Sequence, residues 1–486
     1  PAIPPVLYYP LTLRSGHQAI PVVETGSFVK SGTLIAKSPD PDEPPLYATS
    51  SGSVFFLEGP YPSPSNAPGP MIGIRTDGKA EAEPPFPPLE GSTLTPLNVI
   101  ERIHASAIVG MGGAGFSTAK KLRALQGTLQ LLIINGAECE PFLTCDERII
   151  RERSDELLTS AMLLAQAFQI PRVIFAVESS RLSSMATLQT LLQKQRPDHA
   201  TLTALPDRYP AGGERQLIRF ISGMELPSGS HPVDHGILCL NVQTLLATGR
   251  AITLGERLTR RVVTVSGPGI VSPSNLDVLI GTPIGQLIKA SGGLTPESHQ
   301  IILGGPMMGF SVSEEETPVT KTLSAVLALN PDQVHGAASS MAYPCIRCTA
   351  CVEACPAGLL PQALLDAAQG NRLNTLRTLH LRDCIECACC DAVCPSHIPL
   401  TEQFRTAKKA LARQEWDERL AQRAKQRFEA RKERLLREQQ ERDAEAIERK
   451  KALERGAQPK ISEALERARL KREKRHLQSE DKDGES

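Results

Sequence analysis

Cys345-Ile346-Arg347-Cys348-Thr349-Ala350-Cys351-Val352-Glu353-Ala354-Cys355-Pro356 is followed downstream by Cys384-Ile385-Glu386-Cys387-Ala388-Cys389-Cys390-Asp391-Ala392-Val393-Cys394-Pro395, so one C-x2-C-x2-C-x3-C-P run stands twice in the chain. This is the spacing of a bacterial ferredoxin with two [4Fe–4S] clusters. Three closely spaced thiolates can wrap the corners of one cubane, while the fourth reaches the other cubane more easily than its own. The expected ligand sets are therefore crossed: Cys345, Cys348, Cys351 and Cys394 for one cluster, and Cys384, Cys387, Cys390 and Cys355 for the other. Structural zinc uses pairs of C-x2-C or brings in His, and neither pattern explains the repeated x2-x2-x3-Pro. Disulfides are out of place in a chain at whose start no export signal is read. Cys389 falls between ligands and reads as spare. Cys139, Cys145 and Cys239 stand apart and read as buried packing.

Working outward, the rest of the 486 residues allows several domains of ~100–200 residues each. No apolar stretch reaches the ~18 residues of a membrane-spanning helix. Aromatic content is 4%, and 54 basic side chains balance 54 acidic ones, which argues against a nucleic-acid binder. The balance hides an asymmetry. Residues 401–486 hold 25 basic and 19 acidic side chains, leaving 29 and 35 in the rest. Such a block marks an appended segment, read as exposed helix interrupted at Gly456 and Pro459 and fading into disorder near Ser479.

Residues 1–60 alternate short Val- and Thr-rich runs with turn residues, an all-β pattern, and the Pro-rich stretches after them are linkers. From Asn98 helical segments alternate with apolar runs at Leu129–Ile134 and Val173–Val177, the pattern of buried parallel strands. Residues 261–312 return to β character, with a short helix at Pro283–Ser291.

Gly110-Met111-Gly112-Gly113-Ala114-Gly115-Phe116 precedes a helix expected to start near Ser117, with Ala107–Val109 as a short strand before it. Glycines let backbone approach a ligand, and a helix start aims free N–H groups at phosphate. Alone, this loop reads equally as a phosphate cradle or as a tight structural turn. The clusters add a chemical argument: they pass single electrons, a nicotinamide passes a hydride, and a flavin converts between the two.

Taken in order, Gly110–Phe116, NGAECEPFLTCD at 135–146, Tyr209-Pro210-Ala211-Gly212-Gly213-Glu214, Gly304-Gly305-Pro306-Met307-Met308-Gly309 and the cysteine runs resemble the C subunits of the Rnf (Rsx) ion-translocating ferredoxin:NAD oxidoreductases. The first two motifs also resemble the NADH- and flavin-binding subunit of respiratory complex I. The resemblance implies a multidomain α+β chain. Its parts are a lipoyl-like β barrel-sandwich (1–80), a Pro-rich linker (81–96) and a Rossmann-like FMN/NADH domain (97–255). A soluble-ligand-binding β-grasp domain (256–330), a two-cluster ferredoxin-like domain (331–405) and a charged helical or disordered tail (406–486) follow.

The resemblance further implies an FMN cradle of Gly110, Gly112, Gly113, Gly115, Lys121, Asn135, Glu138, Gly212 and Asn241. Phe116, Glu140 and Glu214 would lie beside NAD(H), although any single carboxylate also reads as a solvated surface charge. The implied activity is NADH:ferredoxin electron exchange through FMN and two [4Fe–4S] clusters. The implied setting is the cytoplasmic face of a bacterial inner membrane, with integral membrane subunits, a ferredoxin-like subunit and ferredoxin as partners, and no nucleic acid. Met111 stands where the complex I relative has Arg, Ala137 where it has Asp, and Ser117 where Pro is common. The missing initiator Met and short start imply that the first residues are trimmed. Two other readings use the same modules: an NADH-dependent cobalamin reductase of a bacterial microcompartment, and a non-catalytic electron-relay scaffold.

Overall fold

The computed structural model describes residues 2–13, 16–61, 68–125, 127–296, 298, 300–313, 315–330 and 342–480. Two compact units divide the chain, Pro1–Lys408 and Lys409–Ser486. Among the described residues no helix is long and apolar enough to cross a membrane.

The N-terminal segment is all β. Val6–Pro10, Gly69–Thr76, Gly52–Tyr61 and Phe28–Val29 form one antiparallel sheet in that order, and Ile20–Pro21, Leu34–Lys37 and Leu46–Tyr47 form a second. Leu7 and Tyr9 point inward while their neighbours in the first strand do not, the period-two alternation of a half-buried strand. Leu7, Ile35, Val54, Ile72 and Ile74 close the core between the sheets.

After the helix Pro96–Ala105 comes a four-stranded parallel sheet in the spatial order Ala200–Leu205, Val173–Glu178, Leu131–Asn135, Ile237–Asn241. Both faces are covered. Leu132 and Ile134 pack into the core formed with helices Ser154–Phe168 and Val242–Thr253, while Leu131 and Ile133 pack against Leu217 and Ile218 of Glu214–Ser222. Burial on two faces explains why these strands read as continuous apolar runs. The chain steps outward from Leu131–Asn135 to the far edge and then returns to the other side of that strand. The strand order therefore reverses between Leu131–Asn135 and Ile237–Asn241, and the strand ends there open the crevice where such sheets hold ligands.

A third sheet runs Ser274–Leu279, Arg260–Ser266, Ala325–Leu329, Gln300–Leu303, Phe310–Val312, with one parallel pair near its centre. The helix Ile284–Ala290 packs Ile284, Leu287 and Ile288 onto it. The cysteine-rich segment is a duplicated loop-and-helix. Arg347, Thr349 and Gly358 take left-handed backbone, and so do Glu386, Ala388 and His397 at the matching places of the second run. The short helices Ala350–Glu353 and Cys389–Ala392 follow at corresponding positions.

Two expectations differ from the structure. Ala107–Val109 is not a strand: Val109 makes only an isolated bridge to Ser117, because the glycine loop closes on itself. The helix Leu400–Glu480 runs through Gly456 and Pro459 without interruption, carried by good helix formers on both sides. The helix is described to Glu480, and the fading into disorder expected near Ser479 falls on residues 481–486, which lie outside the described residues.

A chain ending at Ala410 should keep the iron and flavin content of the full chain, since the first unit closes at Lys408. Metal analysis and flavin extraction on both forms check this, and loss of iron on shortening would show that residues beyond Ala410 are needed.

Candidate redox site

The cysteines separate into two groups in space. One cavity, about 360 Å³ including space open to solvent, is lined by Cys355, Cys384, Cys387 and Cys390, with Cys389 beside them. Another, about 370 Å³, is lined by Cys345, Cys348, Cys351 and Cys394. Each cavity thus takes three cysteines from one run and the last cysteine of the other. Left-handed residues stand between the ligand positions, and the Leu359 and Glu386 N–H groups reach the Cys355 and Cys384 sulfurs at 3.4 Å, donors suited to an anionic cluster. All twelve cysteines are free thiols. Four convergent sulfurs with no His or carboxylate in either lining fit a [4Fe–4S] cubane. The two sites differ in surroundings: Cys387 and Cys390 are buried, whereas Cys345 and Cys348 are exposed.

The second part of the site lies at the strand-order reversal. Asn135 ends an inner strand and Asn241 ends the edge strand beside it, and the two are register partners. Asn135 donates from Nδ2 to the Gly212 carbonyl at 2.9 Å and accepts from the Ala137 N–H at 3.1 Å. Asn241 accepts the Gln243 N–H through Oδ1, capping the helix Val242–Thr253, and donates to Asp146. The glycine loop lies against this helix start. Met111 N–H donates to Thr244 Oγ1 at 2.9 Å, the Gly110 N–H reaches the Phe116 carbonyl, and Gly112 sits against the Asn241 side chain. Gly113 has φ +92°, with open space where a side chain would point. Ser117 caps the following short helix through its hydroxyl. Phe116 is 48% exposed and free to present a ring face.

These features fit FMN. The glycine loop lies beside the start of the helix Val242–Thr253, at the end of the strand Ile237–Asn241, and Gly113 leaves room where a side chain would stand; strand ends of this kind are where such sheets hold a phosphate and a flat ring. Lys121 is the nearby cation, largely enclosed and paired with Glu214, and it also donates to the Cys239 carbonyl at 3.0 Å.

Two acids expected at the ligand are engaged inside the protein. Glu138 is 7% exposed and accepts the N–H groups of Asp146 and Glu147 and the Cys145 thiol. It caps the helix Cys145–Glu152, where a carboxylate suits the positive helix end. Burial, then the neighbouring Asp146 charge, pushes Glu138 up to about 7. Glu140 accepts the N–H groups of Met307 and Met308 at 3.0 and 2.9 Å, and burial raises it as well. A side chain at Gly305 would overlap the Glu140 carboxylate, which explains the Gly-Gly-Pro turn. Glu140 therefore joins the parallel-sheet segment to the third sheet.

Sequence reasoning passed over the partners of this network. Asp146 is buried and held by Asn241 and Gln243; Gln243 also accepts the Val262 N–H, and the buried Arg261 sits nearby. Asp146 closes the 135–146 motif and Gln243 follows Asn241 by two places, the only signals that could have flagged them.

Comparison with known proteins agrees with this layout. Residues 103–250 match the Nuo51 FMN-binding domain, 262–311 the SLBB domain, and 344–398 the 4Fe-4S dicluster domain. The chain is 37% identical over 413 residues to the C subunit of the ion-translocating oxidoreductase complex of Rhodobacter capsulatus, covering 84% of this chain and 79% of that one. The chain belongs to the C-subunit family of ion-translocating oxidoreductase complexes. The Pseudomonas aeruginosa member of that family is 38% identical over 90% of this chain, which spans 56% of that relative's length. A chain of an NAD+-reducing [NiFe]-hydrogenase in its H2-reduced state is 18% identical, with a TM-score of 0.45 over 67% of this chain and 63% of that one. The chain combines an FMN domain, an SLBB domain and a 4Fe–4S domain in a multidomain α/β architecture.

Between its ordinary value of 4.5 and about 7, native Glu138 holds a proton that an unfolded carboxyl has released. The stability tied to that proton is full below 4.5 and is lost as pH rises through about 7. Glu138→Gln, neutral throughout, should flatten this fall. Thermal melts of both proteins at pH steps across the window check it, and parallel curves would refute it.

Proposed function

We propose that this chain is the NAD(H)-facing electron-transfer component of an ion-translocating NADH:ferredoxin oxidoreductase. Bound FMN would exchange hydride with nicotinamide and release electrons singly, and two [4Fe–4S] clusters would carry them onward. The observation that carries this reading is the occurrence, in one compact unit, of a glycine loop at the strand-order reversal of a parallel sheet and of two cysteine cavities.

Gly110, Gly112, Gly113 and Gly115 bring bare backbone to the flavin, with Lys121 turned to its phosphate. Asn135, Asn241 and Gly212 hold the walls of the crevice, and Glu138 acts from behind by fixing the 136–144 loop. Phe116 offers a stacking face to nicotinamide, with Glu214 and Glu140 bordering it. Cys345, Cys348, Cys351 and Cys394 hold one cluster, and Cys384, Cys387, Cys390 and Cys355 the other. The N-terminal sheets are assigned as a lipoyl-like barrel-sandwich, the parallel-sheet domain as Rossmann-like, and the third sheet with its helix as a β-grasp, within the boundaries expected from sequence. Ion translocation falls to integral membrane partner proteins, and this chain sits peripherally on the cytoplasmic face of the inner membrane. A ferredoxin-like subunit and ferredoxin complete the electron path.

Gly113→Val tests the flavin assignment. A β-branched residue at φ +92° carries ~1–3 kcal/mol of backbone strain, so flavin affinity should fall about tenfold or more. Iron content should stay unchanged, and dithionite but not NADH should bleach the clusters. NADH reduction of clusters in a flavin-free variant would overturn the proposed order of carriers.

Cys355→Ala tests the crossed ligation. It should damage the cluster of the second run and spare that of the first, read by EPR. Damage confined to the first run would refute the crossing.

A further inference from the structure

The two cysteine cavities are alike in ligands and unlike in what touches them. Tyr209 donates its hydroxyl to the Cys387 carbonyl at 2.8 Å. The same turn carries Gly212, whose carbonyl takes the Asn135 side chain and whose Cα lies against Ala137 and Cys139 of the crevice wall. One short turn therefore touches the flavin crevice with one end and a cluster ligand with the other. Two further contacts converge on the same cysteine loop. Arg405 pairs with Glu386 at 3.1 Å and reaches the Met308 carbonyl at 3.4 Å, on the turn that Glu140 clamps. Lys408 donates to the Cys384 carbonyl and to Glu386. The cavity of Cys345, Cys348, Cys351 and Cys394 instead faces outward: Ile346 is 68% and Tyr343 58% exposed beside it.

We propose that Tyr209 is the positioning residue of the joint across which electrons enter the cysteine-rich domain, so that the Cys355, Cys384, Cys387 and Cys390 site is the inner, receiving one. The Cys345, Cys348, Cys351 and Cys394 site is then the outer one, from which electrons leave. This rests on the function proposed above. Tunnelling falls steeply with distance, so a site wedged against the crevice wall by a hydrogen bond receives electrons before one that faces solvent. The hydroxyl also holds the peptide after Cys387 and places a donor dipole beside a ligand position, and donors beside a cluster favour its more negative, reduced state.

Tyr209→Phe in the full chain removes only the hydroxyl. Cys390→Ala and Cys348→Ala first identify which EPR signal belongs to the inner and which to the outer site. In Tyr209→Phe, with flavin and iron contents intact, a dithionite-mediated titration should show the inner signal harder to reduce by about threefold, or about 30 mV for a one-electron couple. The outer signal should stay in place. A shift confined to the outer signal, or no shift in either, overturns the assignment. Should the variant lose flavin or iron, wild-type protein decides: freeze-quenched after mixing with NADH, it should show the inner signal first. The outer signal first, or both together, overturns the proposal. NADH that reduces neither cluster in wild type would defeat the function above, while the potential shift under dithionite still tests the joint.

Discussion

Much of the site depends on one buried carboxylate at a helix start. Glu138 accepts the first N–H groups of Cys145–Glu152 and the Cys145 thiol, and this folds the chain between Asn135 and Thr144 into a fixed loop. That loop presents Cys139 to Gly212 on one side and Glu140 to the Met307–Met308 turn on the other. A carboxylate taken from water this far persists only when its oxygens are satisfied. The helix end and the thiol supply the partners, and the neighbouring Asp146 has its own in Asn241 and Gln243. Two acids can therefore lie side by side beneath a ligand crevice.

From that loop the contacts pass between segments far apart in sequence. Glu140 bonds a turn more than a hundred residues away, Arg405 bonds the same turn, and Tyr209 bonds the second cysteine run. The glycine loop is likewise held from outside, by Thr244 and by the reach of Arg261 to the Met111 carbonyl. Domains that read as separate beads along the sequence share polar contacts around one crevice.

The sequence made some of this legible and hid the rest for physical reasons. Thiolate spacing was readable because a cubane imposes local geometry on its ligands, and the two cavities group the cysteines as that spacing implied. Parallel strands were readable at Leu129–Ile134 and Val173–Val177 because burial on both faces leaves an unbroken apolar run. The inward turn of Glu138 and Glu140 was not readable, since a carboxylate looks the same in sequence whether it meets water, ligand or an amide. The strand expected at Ala107–Val109 failed because the loop bonds to itself through Gly110 and Phe116. Gly456 and Pro459 did not break the tail helix, because local breakers act against a long run of helix formers on either side.

The cysteine-rich segment repeats its backbone turns at matching places, Arg347 with Glu386, Thr349 with Ala388 and Gly358 with His397. Matching backbone of this sort gives the two proposed cluster sites like ligand loops, so the loops themselves give neither copy a preferred electrochemical rank. Any inequality must be written by what surrounds each copy: an ammonium and a guanidinium gathered around Glu386, against solvent around Ile346. In the proposed path, direction is thus a property of the neighbours, and substitutions outside the thiolates would retune one half of the duplication while leaving its twin untouched.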